Sequence, residues 1–335
     1  MPSTTPIPVD RSERPGLGKP AGGIGEPAGR PHHQHGHRHG LMHLLMLGGT
    51  FFWASNIIAG KFALRSMSAL ALAQVRVTGA AVIFVVALAL WRNRPRLQLK
   101  KDWGYLVITA LFGITLNQLL FIGGIGKTSA AHAGLIVALG PVMVLILSCA
   151  TQLEALTALK SLGAAISLAG VAVLTTGRPQ VGHPSTLAGD LITLMGTAVF
   201  AYYTILLKKV ATRYDALSLN TILFILGAVM MLPFSVRDLL GTHWSGLPPQ
   251  AWWGITFLVT LGSVVAYLIY AFALTELTAT RVAAFNYLQP VIAAVLGVWL
   301  LSETLTVHVV MGGVLILLGV YLTEREGTGV TRGRA

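Results

Sequence analysis

The sequence predicts an all-α membrane protein in which ten transmembrane helices form two inverted five-helix repeats. Three observations lead there: an apolar composition, basic residues gathered in alternate loops, and a duplication within the chain. Of the 335 residues 54% are hydrophobic and 11% charged, and the mean hydropathy is +0.71. Soluble domains carry about 25% charged residues. A helix needs about 20 mostly apolar residues to cross a bilayer. Such runs fall at about 41–60, 70–91, 103–124, 129–150, 157–176, 187–207, 216–236, 251–273, 280–301 and 305–323. The connections between them are short, which predicts one bundle.

The net charge of +12 would suggest nucleic acid in a soluble chain. Here its placement encodes orientation instead. With the amino terminus inside, the inner segments carry seventeen Lys or Arg and the outer loops five, as the positive-inside rule requires of a chain with both termini cytoplasmic. The densest cluster, RNRPRLQLKK at 92–101, then faces the anionic lipid of the inner leaflet. The expected location is the plasma (inner) membrane, multi-pass, with the lipid bilayer as partner and no nucleic acid.

Residues 1–40 are rich in Pro, Gly, Arg and His, lack an apolar run, and are expected to form a disordered cytoplasmic tail. No signal peptide is expected, because the first apolar run is a full-length span. The run HHQHGHRH at 32–39 has metal-binding composition but fixes no ligand geometry, so no metal and no cofactor are assigned. Cys149 is the sole cysteine, which excludes an intrachain disulfide. Residues 326–335 form a second cytoplasmic tail.

The duplication appears when the chain is laid over itself. At an offset of 149, Pro141 falls on Pro290, Val142 on Val291, Glu154 on Glu303, Thr157 on Thr306, Gly163 on Gly312 and Gly170 on Gly319. At an offset of 147, Gly49 falls on Gly196, Thr50 on Thr197, Ala54 on Ala201 and Lys61 on Lys208. Two units result, 41–179 and 187–325. Each has an odd number of spans, so the second enters the membrane from the opposite side. Inverted repeats suit a carrier that exposes a midplane site to each side in turn. No carboxylate ring or filter-like glycine loop marks a channel. No His-Glu-x-x-His or Gly-x-Ser-x-Gly motif, and no Asp or Glu deep in a span, marks an enzyme. A receptor or scaffold that keeps the fold without flux is the alternative.

Helical spacing proposes the cavity, since residues three or four apart share a face. Gly49, Trp53, Asn56 and Gly60 form one stripe; Gly196, Phe200 and Tyr203 are its repeat partners. Gln118 and Phe121 correspond to Tyr267 and Tyr270, and Asn286 and Gln289 lie one turn apart before Pro290. Trp53, Asn56, Gln118, Tyr203, Tyr267, Asn286 and Gln289 are therefore the expected substrate-binding residues. Arg76, inside the second span, is a candidate charge contact, with snorkelling or pairing to Glu303 as its other readings. Pro141 and Pro290 each lack the amide hydrogen that would reach four residues back, and are expected to act as hinges. Glu154 and Glu303 are expected to stabilise the amino ends of the helices that follow them, and His132 to anchor at the interface. Glycines 163, 170, 312, 313 and 319 are read as packing faces, with a homodimer left open.

The chain resembles the drug/metabolite transporter superfamily, with paired EamA-type domains, over about residues 41–325. The resemblance rests on FWASN at 52–56, Arg76 of QVRVTGA, LNQLLFIGGIGKTSA at 116–130, and the two proline-to-glutamate blocks with their following glycines. Ala54 stands where the family usually has glycine, and TQLEAL lacks the glycine before its glutamate. The resemblance implies ten helices around a central cavity and transport of small organic solutes, often outward. Absence of a deep carboxylate argues against organic cations, which leaves a neutral, zwitterionic or anionic solute such as an amino acid.

Overall fold

A computed structural model describes residues 33–91, 99–150, 157–175, 185–211, 213–276, 282 and 285–325. The chain clusters into two units, 1–40 and 41–335, and the helical bundle is the second. The basic loop at 92–98, Glu154, Arg281 and the tail at 326–335 lie outside the described residues, as do the side chains of Cys149 and Asn286. All regular structure among the described residues is helical.

Helix α1 (His33–Leu64) runs through the stripe of Trp53 and Asn56. Ser68 starts α2 (Ala69–Leu90) by accepting the Ala71 amide at 3.1 Å, a cap that satisfies one of the orphan donors of a first turn. The third run is one continuous rod in three pieces: α3 (Leu99–Ala110), a π-helical segment (Leu111–Leu116) and α4 (Asn117–Ile125). Ser129 caps α5 (Ala130–Val137), which stops at a turn before α6 (Gly140–Ala150). Then come α7 (Ala158–Thr175), α8 (Leu187–Ala211) and α9 (Ala216–Gly241), the last capped by Asp215. The second three-piece rod is α10 (Pro249–Val259), a π segment (Thr260–Val265) and α11 (Ala266–Glu276). A 3-10 turn (Phe285–Leu288) leads into α12 (Gln289–Leu301), followed by α13 (Val307–Arg325).

Among the described residues, six helices are long and apolar enough to cross a membrane: Ala69–Leu90, Asp102–Ile125, Ala130–Leu147, Leu187–Ala211, Ala216–Gly241 and Pro249–Glu276. Three more are apolar but shorter, Ala158–Val173, Gln289–Leu301 and Val307–Gly319. Together they fall one short of the ten expected spans; α1, which covers 41–60, belongs to neither set. The bundle's outer face is oily. Trp299 is 77% exposed, Leu240 81% and Val307 70%, which water would penalise and lipid accommodates.

The expected hinges are breaks rather than bends. Pro141 and Pro290 each sit in the first turn of a new helical piece, α6 and α12. A missing N–H costs nothing there, because first-turn amides have no intrahelical partner.

Two helices pack on their own repeat counterparts, α7 on α13 and α2 on α9, whereas α5 packs on α12, the counterpart of α6. Equivalent residues meet between the two halves. Gln118 donates to the Tyr267 hydroxyl at 2.8 Å, and Ser167 to the Ile316 carbonyl at 3.2 Å, each partner 149 residues from the other. The contact is reciprocal at the glycines. A methyl at Gly170 would strike the Gly312 carbonyl and the Ile316 amide, and one at Gly319 the Gly163 carbonyl and Ser167. These glycines are consumed within the chain. Gly170→Leu is therefore expected to destabilise the protein by about 1–3 kcal/mol or more through overpacking. Gly104→Ala, with open space around it, should be neutral or stabilising. Thermal unfolding in detergent distinguishes the two.

Candidate solute site and its two closures

A cavity of about 70 Å³ lies at the centre of the bundle, lined by Trp53, Asn56, Arg76, Gln118, Tyr267 and Gln289 among the residues expected from sequence. Asn117, Phe121, Val137, Gly140, Gly196, Thr197 and Phe200 complete the wall. Val137 and Gly140 flank the break between α5 and α6, and Gln289 opens α12. Both broken helices thus meet the cavity at their breaks, where irregular backbone in a membrane is tolerated. Tyr203 is fully buried but is not part of the wall: its ring lies against Gly113 and packs on Phe200 at 5.4 Å.

That placement follows from the duplication. Asn56 lies against Gly262 as Tyr203 lies against Gly113, and Gly113 and Gly262 are themselves 149 residues apart. Both glycines belong to the π segments. The extra residue in a π turn shifts the phase of the helical turns after it relative to those before it, and within α4 Asn117, Gln118 and Phe121 share the face that lines the wall.

The polar groups of the cavity are incompletely matched by protein. Arg76, 2% exposed, donates from Nε to Ser263 Oγ at 2.8 Å and from Nη2 to the Gly262 carbonyl at 3.1 Å, and lies 5.9 Å from the centre of the Phe121 ring. Among the described residues its Nη1 has no partner. It neither snorkels nor pairs with Glu303. Asn56 donates Nδ2 to the same Gly262 carbonyl at 3.3 Å; its Oδ1 and the Oε1 of Gln118 are buried without a donor. One cationic donor, on Arg76, and one acceptor, on Gln118, therefore belong to side chains that line one space, while Asn56 Oδ1 lies beside Gly262. Buried unpaired groups of this kind cost about 1–3 kcal/mol each, more when charged.

Towards the beginning of α1 the cavity is shut by rings. Trp53 stands 5.5 Å from Phe200, 5.7 Å from Tyr267 and 4.9 Å from Tyr270. Phe224 packs on Tyr267 at 5.1 Å, and Thr204 shares a hydrogen bond of 2.7 Å with the Tyr270 hydroxyl.

Towards the end of α1 the closure is ionic. Lys61 Nζ lies 3.8 Å from Glu303 and donates to the Thr128 carbonyl at 2.5 Å. Glu303 accepts the Ala130 amide at 2.8 Å and the Ala131 amide at 3.3 Å. It thereby caps α5 rather than the helix that follows it, because the turn after α12, with Ser302 at a φ of 54°, aims it across the bundle. Thr128 Oγ1 donates to Asp190, whose other oxygen is 3.0 Å from His132 Nδ1. Lys61, Thr128, His132, Asp190 and Glu303 are each at most 7% exposed. His132 is thus a buried partner and not an interface anchor. Asp190 and Thr128 carried no sequence signal, since the cluster joins four segments far apart in the chain.

The profile of the EamA-like transporter family matches residues 40–176 and 187–325. An uncharacterized transporter of Archaeoglobus fulgidus is 27% identical over 285 residues, covering 85% of this chain and 97% of its own. A probable terminal-alkyne amino-acid exporter of Streptantibioticus cattleyicolor is 26% identical, covering 84% of this chain and 92% of its own. A solved crystal structure superposes with a TM-score of 0.62 at 17% identity, over 87% of this chain and 99% of that one, which establishes likeness of fold.

Proposed function

The chain belongs to the EamA-like transporter family, and on that premise we propose that it is a ten-span secondary carrier that moves a small amino acid-like solute outward across the inner membrane by alternating access. The observation that carries this reading is the pair of polar atoms without a partner among the described residues, Arg76 Nη1 and Gln118 Oε1, on side chains that line one cavity. A carboxylate on Arg76 and an ammonium or hydroxyl on the Gln118 oxygen would satisfy both. Trp53, Phe121 and Phe200 supply apolar walls, as solute pockets generally require. The probable terminal-alkyne amino-acid exporter among the relatives supports the solute class and the direction.

The reciprocal contacts between equivalent residues support a two-fold relation of inverted repeats, each closure drawing on both halves. With both termini cytoplasmic, the ring cluster forms the inner seal and the ionic cluster the outer one. A cavity of about 70 Å³ is well below the roughly 300 Å³ at which solute pockets begin, so the seals must part for a solute to enter. The breaks at Pro141 and Pro290 supply the joints about which the seals open.

Cells with and without the chain, compared for retained metabolites, test this. Lower retention of small carboxylate-bearing compounds in the cells that have it is the expected result. A difference confined to organic cations, or none while the protein is present in the membrane, overturns it.

A further inference from the structure

We propose that a groove on the outer face of the bundle, where α1 and α9 begin and α2 and α11 end, is a binding site for a phospholipid with a primary-amine headgroup, phosphatidylethanolamine. The groove has a volume of about 570 Å³ and shares no lining residue with the central cavity. Leu45, Leu217, Leu268, Ile269 and Phe272 make its body apolar. Phe272 is 45% exposed and Trp91, which also lines it, 40%, so the groove opens away from the cavity, towards the bilayer. An apolar surface of this kind is unfavourable in water, and in a membrane an acyl chain covers it.

The polar end of the groove selects the headgroup. Trp91 follows α2 and Asp215 caps α9, which places an indole and a carboxylate at neighbouring helix ends, the level at which tryptophan collects in membrane proteins. Thr275 donates its hydroxyl to the Phe272 carbonyl at 2.7 Å. Asp215 Oδ1 accepts the Ser218 amide at 2.8 Å, and its Oδ2 has no partner among the described residues. Arg213, two residues away, is engaged by Asp102 at 2.8 Å, and the Tyr214 hydroxyl donates to the same carboxylate at 3.0 Å. The side chains at 92–101 lie outside the described residues.

A carboxylate so placed favours a cation that also carries N–H donors. Among phospholipid headgroups ethanolamine ends in an ammonium with three such donors, choline in a cation with none, and glycerol in no cation. The indole N–H of Trp91 is a donor suited to the adjoining phosphate. The groove residues Leu268, Ile269 and Phe272 stand beside Tyr267 and Tyr270 on α11, and Ile269 is also the neighbour of Gly49 on α1. The bound chain thus borders the seam of α1 and α11 next to the ring closure.

The full chain in detergent is offered an equimolar mixture of phosphatidylethanolamine, phosphatidylcholine and phosphatidylglycerol with identical acyl chains, and the first lipid retained is identified by native mass spectrometry. Phosphatidylethanolamine is expected to exceed each of the others by about fivefold, the upper end for an ion pair near a surface. Asp215→Asn keeps an oxygen to cap α9 and should bring the three lipids to within about twofold of one another. Leu268→Trp, which fills the apolar body, should lower the retention of phosphatidylethanolamine. No headgroup preference, a preference for phosphatidylglycerol, or an unchanged preference in folded Asp215→Asn protein overturns the proposal, as does unchanged retention in folded Leu268→Trp protein. The readout needs neither solute nor flux, so a failure here stands apart from a failure to find transport.

Discussion

Arg76→Gln is expected to raise the half-saturating concentration for a carboxylate-bearing solute by about thirtyfold or more, while Arg76→Lys keeps part of the affinity. Truncating one member of a buried, hydrogen-bonded charge pair costs about 2–5 kcal/mol, and about 1.4 kcal/mol is a factor of ten. The guanidinium spends Nε and Nη2 on Ser263 and Gly262 and keeps Nη1 for the cavity. Lysine restores the charge but cannot hold that fork. Because Ser263 and the Gly262 carbonyl also lose a donor, thermal stability is measured beside affinity. A loss of affinity equal for carboxylate and uncharged analogues would assign Arg76 to packing alone.

Lys61→Met is expected to lower stability by about 3–5 kcal/mol, the range seen when one member of a buried ion pair is removed. Glu303 keeps its two amides but loses its counter-ion. Pairing Lys61→Met with Glu303→Gln should recover more than half of that loss, since neither member of the pair is then left buried without its counter-ion. The coupling between the two sites in a double-mutant cycle, read from thermal unfolding in detergent, is the measurement. Additive effects would mean that Lys61 and Glu303 do not act as a pair.

Much of the site was legible because a duplicated sequence reports its geometry twice. Trp53, Asn56, Gln118, Tyr267 and Gln289 came from helical spacing and repeat alignment, and the cavity contains all five. Tyr203 followed from the same alignment, and its partner Asn56 does line the wall. The larger ring, however, fills the space beside Gly113. The two glycines at matching positions, 113 and 262, were the unused signal. Asn117 lies four residues before Phe121 on α4, so the spacing that gave Gln118 and Phe121 was also a signal for it. The ionic closure was illegible for another reason. Lys61, Asp190 and Glu303 each read as an ordinary charge at a helix end, and only folding brings segments 58 to 242 residues apart within bonding distance. Pro141 and Pro290 were legible as interruptions, whereas the turn or 3-10 geometry before them depends on neighbouring helices.

The central claim, a carrier with one cavity reached from either side, is tested most directly by exchange in proteoliposomes. The purified full chain is reconstituted, loaded with unlabelled amino acids, and offered a trace of labelled amino acid or labelled quaternary ammonium compound outside. The account predicts transient accumulation of a small labelled amino acid, driven only by the unlabelled pool, absent from empty vesicles and strongly reduced in Arg76→Gln. Folded, inserted protein that exchanges none of the panel, or exchanges the quaternary ammonium compound alone, would contradict it.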